Sequence, residues 1–305
     1  MRTAPERLLL HLEWRVLRRL DGRLQGGYRT VYRGSGTDFT GLRAYLPGDD
    51  ARHIDWNVTA RLSEPHLRVY TEDRELTVWL VLDRTASMEL GAPGRGKQDV
   101  LAELAMVLAQ LFSRGGNRVG ALLYDTVPDR TAPGGRRPKP RTVPPGTGRP
   151  HVLRIGAELA RPVSTRRSST TDLAAMIDAV ARLARRRSLV IVISDFIGDG
   201  DWTPALRRLA QRHEVAALRV VDTADDELPE AGLLVVEDAE TGEQLIIDSS
   251  DPLLRGRLRA AAAERDVRIA AGLHAARVAG HRIDTADDLA QSLVKVIAHT
   301  QRRRT

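Results

Sequence analysis

The chain of 305 residues is 42% apolar and 29% charged, which excludes disordered and collagen-like classes and is enough for one large core or two modest ones. Its net charge is +7, but 40 acidic residues are spread among the basic ones and aromatic residues make up only 4%, so the surface reads as solvated arginine and no nucleic-acid partner is expected. Cysteine is absent, which removes disulfides and thiolate metal sites and fits a reducing, cytoplasmic setting; no window approaches the ~20 consecutive apolar residues of a membrane-spanning helix, so no transmembrane segment is expected.

In the first two dozen residues Leu9, Leu12, Val16, Leu20 and Leu24 recur at helical spacing between arginines, predicting a helix docked on its own domain. Residues 26–71 read as irregular until the strand-like HLRVYTEDREL. Within them Asp49, Asp50, Arg52, Asp55 and Trp56 form a dense string. It reads as a structural turn in which Pro47-Gly48-Asp49 starts a bend and the carboxylates cap backbone amides and pair with Arg43, Arg52 and Arg61. Trp56 would then be a buried anchor. Residues 1–72 thus form an N-terminal helical and irregular extension, packed on a main domain of residues 73–305.

The main domain opens with TVWLVLD, a continuous apolar run ending in a carboxylate, as expected of a strand buried on both faces of a parallel sheet. DVLAELAMVLAQLF supplies a helix with Leu101, Leu104, Leu108 and Leu111 on one face, stopped at Gly115-Gly116-Asn117, and RVGALLYD is the second strand. Residues 128–150 hold seven of the 15 prolines and predict a long loop or an irregular hairpin at a sheet edge. Helical spacing returns over 151–160, STRRSSTTD caps the helix DLAAMIDAVARLARR, and SLVIVISD repeats the strand-plus-aspartate pattern. There follow a helix over 204–213, the strand EVAALRVVD, a hairpin LLVVEDAETGEQLIID turning at Thr241-Gly242, a helix over 252–264, a last strand VRIAAGL, the helix DDLAQSLVKVIAH and a frayed QRRRT tail. This alternation predicts right-handed crossovers and a doubly wound, mostly parallel α/β sheet of the Rossmann type.

The first core strand ends as Asp83-Arg84-Thr85-Ala86-Ser87, placing a carboxylate and two hydroxyls at alternate positions where the strand opens into a loop. Hard cations such as magnesium want oxygen ligands and keep several waters, so few charged ligands suffice. Ligands of open α/β sheets sit outside the carboxyl ends of strands, where strand order reverses. With a strand order of 3-2-1-4-5-6, Asp83 and Asp195 close neighbouring strands at that crevice and the Thr170-Thr171-Asp172 turn can reach it from a third side. Alone, D-x-[ST]-x-S is a common string and a hydroxyl after a strand is more often a helix cap; the order of the three segments is what singles it out.

The pattern DRTASM, then TTDL, then VISDF resembles the metal-ion-dependent adhesion site of von Willebrand factor A domains. The upstream block GTDFTGLRAYLPGDDARHIDWNVTAR and the downstream block RHEVAALRVVDTADDELPEAGLLVVEDAETGEQLIID resemble the family known as domain of unknown function 58, over roughly residues 20–250. The resemblance implies a von Willebrand factor A-like fold with Asp83, Thr85 and Ser87 as first-loop ligands, Thr171 as second-loop ligand and Asp195 as third-loop carboxylate of Mg2+, or of Mn2+ or Ca2+. It also implies a protein-binding module rather than an enzyme. A partner's Asp or Glu would complete the metal's coordination, and a MoxR-type AAA+ ATPase would be served as adaptor or co-chaperone. Thr85 stands where serine is commoner in the family and keeps the hydroxyl, and the two upstream hydrophobic segments of many members are missing here.

A different class, a magnesium-dependent phosphohydrolase using the Asp83 loop, rests on the same oxygen ligands. Gly91-Ala92-Pro93-Gly94-Arg95-Gly96-Lys97 also fits G-x-x-x-x-G-K, but Gln98 occupies the position of the magnesium-binding hydroxyl. A haloacid-dehalogenase-like phosphatase would need a second aspartate where Thr85 stands.

Overall fold

The computed structural model describes residues 33–46, 49–62, 64–71, 76–89, 95–125, 140–162, 171–198, 200–222, 231–237 and 244–302. The expected N-terminal helix, the Pro47-Gly48 bend, Gly91 to Gly94, most of the cap before Thr171, the Thr241-Gly242 turn and the last three residues lie outside them. The described residues divide into two compact units, one within Leu24–Glu75 and one from Leu76 onward.

In the first unit, strand β1 (Arg33–Ala44) pairs antiparallel with β2 (His66–Thr71) around a short helix α1 (Trp56–Leu62). The expectation of irregular chain before HLRVYTEDREL is therefore corrected. A glycine- and threonine-containing segment with little apolar alternation is extended because β2, more than 20 positions downstream, supplies its hydrogen-bond partners. The acidic string does cap and pair. Asp49 receives both guanidinium nitrogens of Arg43 at 2.6 Å and the Leu46 amide at 2.8 Å, Asp50 accepts from the Arg52 amide, and Asp55 accepts from the amides of Asn57 and Val58. Trp56 is 68% exposed, correcting its expected role as a buried anchor. That role falls to Leu67, which is buried and bridges to the half-buried Ile54.

The second unit runs in chain order through β3 (Thr77–Arg84), α2 (Lys97–Arg114), β4 (Arg118–Asp125), β5 (Arg141–Gly146), α3 (Gly148–Leu159), α4 (Leu173–Leu183), β6 (Leu189–Ser194), α5 (Thr203–Arg212), β7 (Glu214–Val221), β8 (Leu233–Glu237), β9 (Gln244–Asp248), α6 (Pro252–Ala275), β10 (Ala279–Asp284) and α7 (Leu289–Arg302). Six strands form one sheet in the order β10-β7-β6-β3-β4-β5, all parallel except β5. Counted along the chain within this sheet, that is the expected 3-2-1-4-5-6 order, with its reversal between β3 and β6. The proline-rich segment does end at an edge. Pro144 and Pro145 sit in β5 between the pairings Ala121 with Val143 and Val119 with Gly146, where the register slips and no proline amide is needed. β8 and β9 make a separate antiparallel pair.

The core strands are apolar without alternation because both faces are covered. Trp79 and Val81 pack with Met176, Ile177, Val180 and Leu206 on one face, while Leu80 and Leu82, pointing the other way, are equally buried on the side covered by α2. One element departs from expectation. VRIAAGL is not a strand but lies in α6, and the last strand is Ala279–Asp284. The β-branched Val267 and Ile269 favour a strand reading, but the buried residues of α6 are Ala262, Ile269 and Leu273, spaced seven and four apart along one helical face. Behind that face Leu273 closes on Gly280 of β10, where an added Cβ would stand 2.6 Å from its Cδ1.

Asp266 of α6 ties the helix across two strands, to Arg219 of β7 at 2.5 Å and to Arg282 of β10 at 2.7 Å. Burial by itself would raise its carboxyl, but the hydrogen bond and charge of Arg219, and then those of Arg282, hold it below the usual carboxylate range. A depressed folded pKa stabilises the protein above the unfolded carboxylate value, and that contribution disappears as pH falls through the folded one. Asp266→Asn is expected to lower the melting temperature at pH 7 and to flatten its decline on acidification. Leu80→Ala, at the fully buried centre of the sheet, is expected to cost about 2–5 kcal/mol in urea denaturation.

Candidate metal centre

The switch between β3 and β6 puts the ends of these two strands side by side, with Leu82 paired to Ile193. The next residues are Asp83 and Ser194, and they meet: the Ser194 hydroxyl donates to Asp83 Oδ2 at 2.6 Å. Asp83 Oδ1 accepts from the Thr85 amide at 3.1 Å and from Thr85 Oγ1 at 2.7 Å, and Thr85 Oγ1 lies 3.2 Å from Ser87 Oγ. The alternate spacing brings the three oxygens together because the chain leaves β3 directly into a tight helical turn over Ala86–Glu89, in which the Met88 amide bonds back to the Thr85 carbonyl.

The third loop starts one residue after β6. Asp195 Oδ1 accepts from the Ile197 amide at 2.9 Å, and its backbone carbonyl accepts from Arg219 Nε. Phe196 follows with φ of 59°, a left-handed backbone that is unfavourable for an aromatic residue. Its amide bonds to Ser194 Oγ, and its ring meets Trp202 edge-on at 5.3 Å, which holds the turn. Thr171 is buried and its segment closes on this loop: a Cβ on Gly198 would lie 2.5 Å from the Thr171 carbonyl oxygen, so only glycine admits the approach. Asp172, beside it, caps α4 by accepting from the Ala175 amide.

Asp83, Thr85, Ser87, Thr171 and Asp195 are all at most 6% exposed. Burial, then the charge of Asp195, pushes the Asp83 carboxyl far above the ordinary range, against the hydrogen bonds from Ser194 and Thr85 that favour its ionised form. The oxygen set fits a hard cation. Ligands ~2.0–2.1 Å from magnesium in octahedral order lie ~3 Å apart, and the spacings around Thr85 Oγ1 are 2.7 and 3.2 Å. Among the described residues no group of three or more His, Asp and Glu could hold a metal ion; the oxygens gathered at Asp83 come from its own carboxylate and the neutral hydroxyls of Thr85, Ser87 and Ser194, with Asp195 as the second carboxylate nearby.

Two participants escaped sequence reasoning. Ser194 had only the signal of preceding Asp195. Lys97, which sequence reading weighs as a P-loop lysine, starts α2 and places its ammonium 3.2 Å from Asp195 Oδ2, with both side chains 1% exposed. Its preceding glycines belong partly to undescribed residues, but Arg95 shows how the helix start is held: its guanidinium donates to the carbonyls of Thr285 and Asp287 and pairs with Glu103.

Fold and site define a mixed α/β protein whose mostly parallel sheet carries a buried oxygen-donor cluster at its switch point. Residues 41–268 match the model of the family described as Protein of unknown function DUF58, and the chain belongs to that family. Uncharacterized protein Rv1480 of Mycobacterium tuberculosis is 41% identical over 255 residues, covering 83% of this chain and 77% of that protein. Uncharacterized protein MAV169 of Mycobacterium avium is 51% identical over 71 residues, covering 23% of this chain and 42% of that one. Among solved structures, an aerotolerance-related membrane protein from Bacteroides fragilis aligns with 75% of this chain and 100% of its own at 14% identity and a TM-score of 0.45. BatB from Bacteroides thetaiotaomicron aligns with 75% of this chain and 99% of its own at 15% identity and a TM-score of 0.44. No helix of the described residues is long and apolar enough to cross a membrane.

Ser194→Ala removes the hydroxyl donor of a fully buried carboxylate. It is expected to lower stability by about 1–3 kcal/mol in chemical denaturation, well beyond an exposed serine-to-alanine change.

Proposed function

We propose that this chain is a metal-dependent protein-interaction module with a von Willebrand factor A-like fold, acting in the cytoplasm as adaptor or co-chaperone of a MoxR-type AAA+ ATPase. Asp83, Thr85, Ser87, Thr171 and Asp195 would hold Mg2+, or Mn2+ or Ca2+, as a metal-ion-dependent adhesion site. The observation that carries the reading is the meeting of Asp83, Thr85 and Ser87 oxygens within hydrogen-bond distance at the strand switch, beside Asp195. Membership of the DUF58 family supports the assignment of the loops.

The chemistry a bound divalent ion would supply is an open coordination position for a partner's Asp or Glu, because a hard cation takes about six oxygen ligands and these loops offer fewer. The protein's own residues do the rest. Ser194 and the Thr85 amide orient the Asp83 carboxylate, the Ile197 amide orients Asp195, and the three loops around them would supply partner specificity. Two residues after Asp83, where a phosphoester-cleaving aspartate pair would need its acid, Thr85 offers only a hydroxyl, too weakly acidic for that role and already donated to Asp83.

Affinity capture from lysate with the full chain is expected to retain an AAA+ ATPase in Mg2+, to lose it in chelator, and to lose it with Asp83→Ala. Magnesium-dependent phosphate release from ATP or a phosphoester, abolished by Asp83→Ala, would replace this reading with a phosphohydrolase.

A further inference from the structure

The centre already contains a cation. Lys97 Nζ lies 3.2 Å from Asp195 Oδ2, both side chains are 1% exposed, and Asp195 is close enough to Asp83 for its charge to act on that carboxyl. A lysine buried to this degree is rare unless it is paired, and desolvation offsets most of the attraction of a buried ion pair. Its placement is built by backbone on both sides. Gly96 caps α2, with its amide on Asp99 Oδ2 at 3.0 Å, and Arg95 anchors the preceding turn to the carbonyls of Thr285 and Asp287. The aliphatic stem therefore enters the interior at the first position of a pinned helix, and its ammonium ends on the third-loop carboxylate.

We propose that Lys97 is the internal counter-cation of the Asp83–Asp195 pair and that a divalent ion loads only by displacing its ammonium from Asp195. This rests on the metal reading above and deepens it by naming the residue that sets metal affinity. With both carboxylates ionised and Lys97 in place the trio carries one negative charge; a dication added to it would face an ammonium in the same buried region, at low local dielectric. Moving Lys97 away restores two full carboxylate charges to the metal and frees Asp195 Oδ2. Because the lysine heads α2, metal loading would be coupled to the start of that helix. Asp195 would exchange one cation for another and would not be left buried and unpaired.

The test is calorimetric titration of Mg2+ and Mn2+ into the chelator-treated full chain, comparing the native sequence with Lys97→Gln, which keeps a neutral donor for Asp195, and with Lys97→Met, which does not. Both variants are expected to bind at least about tenfold more tightly, since a like charge beside a dication is removed, and Asp83→Ala added to Lys97→Gln is expected to abolish the gain. A variant that folds only when Mn2+ is added, followed by circular dichroism, supports the proposal equally, because the ion replaces the missing counter-charge; failure of metal to rescue it overturns the proposal. Equal or weaker binding in folded variants while the native chain binds metal overturns the role of Lys97 and leaves the metal site standing. No binding by the native chain or either variant removes both.

Discussion

A carboxylate withdrawn from water at the end of an interior strand has to be compensated on the spot, and the arrangement around Asp83 is organised by that requirement. Ser194 from the neighbouring strand and Thr85 from its own loop supply the hydroxyl donors, so one buried acid joins two strand ends and a turn. One of the hydroxyls that satisfy Asp83, that of Thr85, also lies beside Ser87, so hydrogen bonding that holds the loop in shape also presents an oxygen cluster. Parallel pairing of β3 with β6 makes this possible, because it aligns two strands from distant parts of the chain so that they end on the same rim.

Hydrogen bonds alone do not balance the charge. Asp195 adds a second acid to the same buried region, and the like charge works with burial against ionisation of Asp83. Lys97, carried in by the start of α2, pairs with Asp195. A buried ion pair of this kind contributes little net stability, since desolvation consumes most of the attraction. Elsewhere the same unit uses charge for fastening, as where Arg141 of the edge strand reaches both Asp125 at the end of β4 and Glu158 of α3.

The unit within Leu24–Glu75 follows a different economy. Its polar string is almost entirely local: Arg43 clamps Asp49 six residues away, and Asp50 and Asp55 cap amides two and three residues on. Such interactions depend on short loops closing over few bonds, which is why acidic and basic residues at this spacing are legible as a turn in the sequence. The exposure of Trp56 was not readable in the same way. Whether a large apolar residue is covered depends on what packs against it, and Leu67 took the interior position.

Sequence by itself determined the elements whose periodicity is strong and whose neighbours are close: the continuous apolar strands ending at Asp83 and Ser194, the helix after Lys97, the cap at Asp172 and the position of the first-loop oxygens. Tertiary structure alone decided the rest. It turned VRIAAGL into helix, because Ile269 and Leu273 needed one buried face more than Val267 needed a strand. It extended residues before Ala44 by giving them a distant partner, and it brought Lys97 across 98 positions to Asp195. The physical reason is the same in each case: periodicity records which face of an element is apolar, whereas the charge or strand that will meet it is specified only when the chain has closed on itself.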